Sequence, residues 1–373
     1  MTIYDKQATV TANQEKPAFE FGLYTFGDTV PNRHGVQVSH KQRLKEIVDA
    51  AILADQAGLD IFGIGEHHTL DFAVSSYVVV LAAIAQATKR IRLTSATTVL
   101  STVDPVRLFE DFATLDLLSD GRAEMIAGRG AFVDSFPLFG YNLEDYSQLF
   151  SEKLDLLMKL RESERITWNG QFRSAIRDLE ITPRPQRELP LWVGVGGTPQ
   201  SAVNAGRLGL GMALAILGGS PERAQPLVEL YRQSGIEAGH DPSKLQVAVT
   251  SHGYVAETSQ RAKDEFYPHY SSYMGYFLGK RSGGAAPISR SDFEIMVGPA
   301  MAIPVGSPQE VVEKILRQYE LFGHSRYILQ LDIGNMPYAK AAKAIELIAD
   351  QVTPIVRREI AKQKRTHENE LES

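Results

Sequence analysis

Two kinds of hydrophobic pattern alternate along the chain. Short, continuous runs of apolar and β-branched residues predict strands at 19–26, 60–66, 91–100, 123–130, 191–195, 212–216, 245–256 and 327–333. Between these runs, apolar residues recur every three or four positions, which predicts helices at 41–57, 76–88, 105–118, 144–162, 200–207, 222–238, 259–278, 309–322 and 339–362. The pattern is therefore one of eight strands, each followed by a helix.

This order of elements favours a (β/α)8 TIM barrel, an α/β fold in which every strand leads into a helix. Two stretches break the rhythm and predict insertions after strands 4 and 7. The first, 166–181, carries Asn169-Gly170 between two short β-like runs and predicts a hairpin. The second, 279–305, is rich in Gly, Ser, Pro and Ala and predicts a mobile loop. We expect an N-terminal extension at 1–18, a single barrel domain at 19–361 and a C-terminal tail at 362–373.

A doubly wound parallel sheet is the alternative fold for alternating strands and helices. Such a sheet usually carries a glycine-rich phosphate turn after its first strand. Here the first strand is followed by Gly27-Asp28-Thr29, which lacks the GxGxxG spacing. The barrel is therefore the favoured fold.

Composition removes several classes of function. Hydrophobic residues make up 43% of the 373 residues and charged residues 23%, which is a globular mixture. The net charge of -6 gives no basic surface for nucleic acid. The chain has no cysteine, which excludes disulfides, thiolate metal sites and a cysteine nucleophile. A polar N-terminus and the lack of a long apolar run predict a cytoplasmic protein without a membrane segment.

Candidate chemistry is sought where barrel active sites lie, at the C-terminal ends of the strands. Strand 2 ends in Glu66-His67-His68. An imidazole titrates near neutrality, so His67 is the candidate general acid or base. Neighbouring strand residues face opposite ways, which disfavours one metal bound by both histidines. A structural histidine remains the alternative.

Two glycine-rich strand ends are candidate anion sites. Strand 4 ends in Gly128-Arg129-Gly130, where the backbone can approach a flat ligand and the guanidinium can hold phosphate or carboxylate. Strand 5 ends at Gly196 and Gly197 and opens a helix, where backbone N–H groups can bind an anion with the hydroxyls of Thr198 and Ser201. The spacing is no dinucleotide fingerprint, because the third glycine position is Pro199. Ordinary tight turns explain both segments equally well.

Other strand-end residues suggest the shape of the ligand. Small side chains in 93–100, including Ala96 and Thr97, leave room for a broad planar molecule, although ordinary β packing explains them too. The aromatic residues Tyr24, Phe26 and Trp192 are candidates for a substrate pocket or for the barrel core. No GxSxG elbow of a serine hydrolase is present. The residues alone therefore indicate a barrel enzyme with an anionic, planar ligand.

Several segments resemble the bacterial luciferase-like flavin-dependent monooxygenases. The resemblance is carried by 58–68, GLDIFGIGEHH, and by 91–107, IRLTSATTVLSTVDPVR. It continues through 115–122, LDLLSDGR, and Gly128-Arg129-Gly130, and is looser at 190–197. It extends over roughly residues 19–360.

The resemblance implies a barrel that holds FMN, or F420 in a deazaflavin-using branch, at the strand C-termini. In the family, reduced FMN and O2 form a C4a-hydroperoxide, which here would oxidise a small, largely apolar organic substrate. His67 then matches the histidine at the reactive flavin edge, and Ala96-Thr97 matches a cis peptide beneath the ring. Arg129 and the group Gly196, Gly197, Thr198 and Ser201 match the phosphate end. Gly128 stands where true luciferases have a reactive cysteine, which argues against light emission as the main role.

The resemblance also implies partners. The chain carries no second nucleotide motif, so we expect a separate NAD(P)H-dependent flavin reductase to supply reduced FMN. A homodimer is expected to form through the helices at 76–88 and 105–118. Two alternatives stay open: an F420-dependent oxidoreductase that transfers hydride without O2, and a flavin-binding protein without turnover.

Overall fold

The structure is a computed structural model that describes residues 19–31, 36–130, 132–282 and 287–371. The predicted extension at 1–18 lies outside these residues, as do 283–286 of the predicted mobile loop. Across the described ranges, no helix combines the length and apolar character needed to cross a membrane.

Eight parallel strands form a closed barrel. They are β1 (Glu20–Thr25), β2 (Ile61–Ile64), β3 (Arg92–Ser95), β4 (Ala123–Gly128), β5 (Leu191–Val195), β6 (Gly211–Ala215), β7 (Val247–His252) and β8 (Arg326–Gln330). Each strand pairs with the next, and β8 closes the barrel on β1 with Arg326 opposite Glu20. The predicted (β/α)8 barrel is confirmed.

Helices cover the outside of the barrel. They are α1 (His40–Gln56), α2 (Tyr77–Ala87), α3 (Pro105–Leu118), α4 (Tyr146–Glu162), α5 (Pro199–Arg207), α6 (Gln225–Glu237), α7 (Ser259–Ser282), α8 (Arg290–Met296), α9 (Pro308–Phe322), α10 (Tyr338–Leu347) and α11 (Thr353–Leu371). Shorter turns lie at Ser135–Leu138, Leu143–Asp145, Pro221–Ala224, Pro242–Lys244 and Ile348–Val352. The helix α11 runs on to Leu371, so the tail predicted from 362 continues this helix.

Local capping explains where the helices begin. At α3, the Asp104 carboxylate accepts hydrogen bonds from the N–H groups of Val106 and Arg107, with Pro105 in the first turn. At α9, Ser307 and Glu310 form a reciprocal capping box. Each arrangement satisfies N–H groups that have no partner inside the helix.

The first insertion is the predicted hairpin, between α4 and β5. Its antiparallel strands are Arg165–Trp168 and Ile176–Glu180. The connection spans 169–175, so it includes Asn169-Gly170 but is longer than a two-residue turn. The physical reason is Glu152 on α4, whose carboxylate accepts hydrogen bonds from the N–H groups of Gln171, Phe172 and Arg173 and holds a wider loop.

The second insertion, between β7 and β8, contains more helix than predicted. The helix α7 extends through the start of the predicted loop, and α8 occupies its centre, so an irregular segment over 279–305 is wrong. Phe293 of α8 is fully buried against the rings of Tyr267 and Tyr270. Lys314 of α9 donates hydrogen bonds of 2.7 Å to the carbonyls of Val297 and Ile303. This helix could not be predicted from the sequence, because its hydrophobic pattern is too short and its stability depends on these tertiary contacts. The mobility of the segment stays a prediction.

The N-terminal ends of the strands, called the lower end of the barrel, are filled by paired charges. Arg326 donates to Glu124 over 2.5 Å and to Glu20 over 2.8 Å, and Arg92 also pairs with Glu20. Above them lies an interior layer formed by Ile61, Ile126, Trp192, Ala213, Ala248 and Ile328. The open space of the barrel is therefore confined to the C-terminal ends of the strands, called the upper end.

Candidate active site

A cavity of about 320 Å³ opens at the upper end, large enough for a cofactor-sized ligand. It is lined by most of the residues predicted for the site: Tyr24, Phe26, His67, Ala96, Thr97, Gly128, Arg129, Gly196 and Thr198. Residues that lie on strands β1 and β4 to β7, or directly after β2 and β3, contribute to the lining. The fold thus brings together side chains that lie far apart in the sequence.

The cavity exists because the strand ends on one side of the barrel carry little side chain. Small residues occupy the lining or inward positions Gly65, Ala96, Gly128, Gly194, Ala213 and Ala215. A Cβ atom at Gly128 would lie 2.5 Å from Oγ1 of Thr97, so a larger residue there would crowd the floor. The peptide bond between Ala96 and Thr97 is cis, as the resemblance implied, and both residues line this floor.

His67 is held by aromatic packing. Its ring centroid lies 4.0 Å from that of Phe72, 4.8 Å from Phe26 and 4.7 Å from Phe132. Its backbone N–H donates to the carbonyl of Val74 over 3.0 Å. These contacts fix the imidazole in the cavity wall in a partly desolvated place.

The neighbouring residues form a separate polar pair. Nε2 of His68 lies 3.0 Å from Oε2 of Glu66, and Oε1 of Glu66 accepts a hydrogen bond from the N–H of Val99. His68 also contacts the ring of Phe139 edge-on. Because both side chains line the cavity, the Glu66–His68 pair is a second proton-carrying group that the sequence reasoning did not assign.

Arg129 places a positive charge in the cavity lining. Its guanidinium lies 5.3 Å from the ring centroid of Tyr146, whose hydroxyl donates to the carbonyl of Gly130. Within the described ranges, no carboxylate forms an ion pair with Arg129. Gly196 and Thr198 line the same cavity, and no atom lies within 4 Å of a Cβ built at Gly196. An unpaired guanidinium beside an open backbone suits a phosphate group.

Three predicted site residues do not line the cavity. Gly197 is exposed on the rim beside Gly196, with φ of 117°. Ser201 is buried on α5, one turn into the helix. Trp192 belongs to the layer below, where the Arg326 guanidinium lies 4.3 Å from its ring centroid. It does not line this cavity, because it faces inward two residues before Gly194, nearer the lower end, and its role in a substrate pocket stays a prediction.

Sequence reasoning missed other lining residues. Phe132, Tyr146 and Thr250 line the cavity from the loop after β4, from α4 and from β7. Thr250 lies in the middle of the predicted strand 245–256, so it was not recognised as a strand-end residue, whereas the observed β7 ends two residues later. Within the described part of the chain, no cluster of three or more histidines or carboxylates is placed to hold a metal ion.

Comparison with known families now identifies the class of protein. The sequence profile of the luciferase-like monooxygenases matches residues 24–325, which is most of the chain. The chain therefore belongs to the luciferase-like monooxygenase family.

Individual relatives agree with this assignment. The oxygenase component of a flavin-dependent trigonelline monooxygenase from Acinetobacter baylyi is 26% identical over 335 residues, covering 85% of this chain and 91% of that one. The monooxygenase RslO1 from Streptomyces bottropensis superposes with a TM-score of 0.77 at 27% identity, covering 90% of this chain and 99% of that one. The oxygenating constituent of 3,6-diketocamphane monooxygenase from Pseudomonas putida, solved with FMN, has a TM-score of 0.73 at 22% identity, covering 90% and 98%, and shares the fold.

Proposed function

We propose that the protein is the oxygenase of a two-component monooxygenase, which binds reduced FMN and uses O2 to oxidise a small organic substrate. The observation that carries this proposal is the geometry of the cavity. The Arg129 guanidinium, which has no carboxylate partner among the described residues, lines this cavity. Its floor is formed by Ala96, Thr97 and Gly128, and the His67 imidazole lines the same cavity.

The residues present fit FMN. Arg129, the Gly196 backbone and the Thr198 hydroxyl would hold its phosphate, and the small floor residues would accept its flat ring system. Reduced FMN supplies the two electrons with which one atom of O2 enters the substrate and the other leaves as water. The name of the Acinetobacter relative supports flavin chemistry.

The side chains of this chain would control water and protons around that reaction. Phe26, Phe72 and Phe132 surround His67 and restrict water beside its ring. His67 is positioned to give a proton to, or take one from, the reacting oxygen. The Glu66–His68 pair can exchange protons at the same wall, which makes it a secondary candidate.

A reductase and a second copy of the chain are the proposed partners. The Acinetobacter relative is named as an oxygenase component, which supports a separate component that reduces the flavin. Val79 of α2 is 67% exposed, and Leu117 and Leu118 of α3 are also exposed. These apolar side chains lie on the two helices expected to pair in a homodimer.

The test is an anaerobic titration of the protein with reduced FMN, followed by oxygen uptake and measurement of released H2O2. We expect saturable binding and slower H2O2 release than from free reduced FMN. The variant His67→Phe keeps the aromatic packing and removes both ring nitrogens. It should bind reduced FMN within about twofold of wild type and release H2O2 faster. His240→Phe serves as the control, at a half-buried histidine outside the cavity whose Nε2 contacts the carbonyl of Arg207.

Three outcomes contradict the proposal. Binding of reduced F420 but not reduced FMN, with hydride transfer and no oxygen uptake, supports the deazaflavin enzyme. Binding of FMN without any effect on its oxidation supports a flavin-binding protein. Steady NADH oxidation by the purified protein, matching product formation, removes the need for a separate reductase.

A further inference from the structure

The barrel interior is asymmetric at its upper end. Glycine and alanine predominate at the inward positions of β2 to β6, whereas β7, β8 and β1 carry larger polar side chains. His252 of β7 and Gln330 of β8 are directly paired in register. Tyr24 follows Leu23, which pairs with Leu329, so Tyr24 stands beside Gln330 on the neighbouring strand. We call His252, Gln330 and Tyr24 the polar wall.

The polar wall contains hydrogen-bonding atoms that the protein leaves unused. Gln330 is fully buried, and neither its Oε1 nor its Nε2 has a partner among the described residues. The same holds for Nδ1 of His252, which is 3% exposed, and for the hydroxyl of the adjacent Tyr270. Buried polar atoms without partners are rare and destabilise a folded protein. Their concentration in one place calls for a ligand that satisfies them.

The wall adjoins the cavity. Tyr24 lines it directly, and so does Thr250, two residues before His252 on β7. Two rings of α7 cover the rest of the wall. The ring centroid of Tyr273 lies 5.9 Å from that of His252 and 4.3 Å from that of Phe277. The ring centroid of Phe277 lies 4.8 Å from that of Phe132, which lines the cavity. These ring contacts connect the cavity lining with His252, and the proposal below requires the two side chains to move aside for a ligand.

The side chains of the polar wall carry no formal charge. The amide of Gln330 offers a donor and an acceptor without a formal charge. Burial lowers the pKa of His252 to about 4, so its ring is neutral at physiological pH. Such a pair matches a neutral polar group, to whose oxygen the Nε2 of Gln330 can donate, whereas a carboxylate or phosphate would need a cation.

We propose that Gln330, supported by His252, binds a carbonyl-type oxygen of the organic substrate and so selects a polar rather than purely hydrocarbon compound. This proposal rests on the proposed function, because the bound compound is a substrate only if the protein is an oxygenase. It also refines the expectation of a small, largely apolar substrate by adding one uncharged acceptor group.

The first test needs no ligand and no turnover. The variant Gln330→Met keeps the size of the side chain and removes both unused atoms. We expect the melting temperature of the FMN-free protein to rise by about 2 °C or more. The matched control is Gln318→Met, because Gln318 is equally buried but donates to the Ala302 carbonyl and accepts from the Tyr327 hydroxyl. The control should melt lower than wild type. A lower melting temperature for Gln330→Met would show a structural role and overturn the proposal.

The second test measures selectivity with two probes of equal shape. Cyclohexanone carries the carbonyl oxygen, and methylenecyclohexane replaces that oxygen by a CH2 group. Equilibrium dialysis against the full chain should show about tenfold preference for the ketone, as one satisfied hydrogen bond predicts. Gln330→Met should reduce the preference to within about twofold, and His252→Phe should reduce it partly. Equal retention of both probes by wild type, including retention of neither, overturns the proposal.

A third measurement separates this proposal from the proposed function. Wild type and Gln330→Met should bind FMN with dissociation constants within about twofold of each other. A loss of tenfold or more in the variant would assign the wall to the cofactor and overturn its role in substrate selection. Failure of wild type to bind FMN would contradict the proposed function, while the melting and dialysis results would still decide the role of Gln330.

Discussion

The two ends of the barrel use buried polar groups in opposite ways. At the lower end, Arg326 is 2% exposed and pairs with Glu124 and Glu20, which are also buried. Burial alone would raise the pKa of Glu20, but Arg326 and Arg92 outweigh it and hold that pKa below its ordinary value. At the upper end, Arg129 has no carboxylate partner among the described residues, and Gln330 has unused amide atoms.

This contrast distinguishes buried polar groups that stabilise the fold from buried polar groups that are available to a ligand. A buried charge that has found its partners contributes to folding, and its loss leaves the partner desolvated and uncompensated. A buried polar group without a partner destabilises the free protein, and for Gln330 the proposed ligand would supply the partner. Substitutions at the lower end should therefore affect stability, and substitutions in the cavity should affect binding.

The largest effect is expected from Arg326→Met. The variant leaves Glu124 buried without its close partner, since Arg92 lies 4.0 Å away. We expect a loss of about 3–5 kcal/mol in the free energy of unfolding, measured by urea denaturation. Arg165→Met, on the exposed hairpin pair with Asp178 and Glu180, is the control and should leave the midpoint unchanged. If Arg326→Met lowers the free energy of unfolding by less than about 1 kcal/mol, the proposed difference between the two ends of the barrel is wrong.

The next effect concerns the cavity. Arg129→Ala should weaken FMN binding by about 10- to 100-fold, because a charge-assisted contact to phosphate is lost. The urea midpoint should stay at its wild-type value, since Arg129 supports no ion pair in the described structure. Fluorescence titration gives the affinity, and Arg107→Ala, at an exposed arginine paired with Glu110, is the control. Unchanged affinity together with a lower midpoint would make Arg129 a structural residue.

A third effect, spread over several pH units, is a change in pH dependence at Asp28, another buried group of the upper end. Burial, aided by the neighbouring Asp332 carboxyl, raises the pKa of Asp28 to about 7. The unfolded chain releases this proton near pH 3.9, so between about pH 4 and 7 the folded state binds more protons. Wild type should therefore lose stability relative to Asp28→Asn as the pH rises through this range, by at most about 1.4 kcal/mol per pH unit.

The asparagine variant is well matched. Oδ1 of Asp28 accepts hydrogen bonds from the N–H groups of Gly334 and Asn335, and an asparagine oxygen can accept both. Urea denaturation of both proteins at pH 5 and pH 7 gives the difference. Parallel stability curves would show that Asp28 stays ionised in the folded protein.

Predictions from the sequence succeeded where the signal was local. The bounds of α3 and β5 agree with the predicted 105–118 and 191–195, because a proline after a capping residue and a short buried run define them. Strand 3 was predicted as one run over 91–100. It is divided into Arg92–Ser95 and Thr98–Val99 around the cis peptide. The glycines of the cavity floor were also recognisable, since their position at strand ends depends only on the order of elements.

The sequence alone determined the alternation of strands and helices, the barrel and the strand ends that surround its cavity, because hydrophobic period and capping act over a few residues. Tertiary structure decided which polar groups find partners. Gln318 and Gln330 are the same residue type, both buried, yet one is satisfied and the other is not. Trp192 and Gly194 lie two residues apart on the inward face of β5, yet only the glycine lines the cavity. These differences arise from contacts between segments far apart in the chain, which no local pattern encodes.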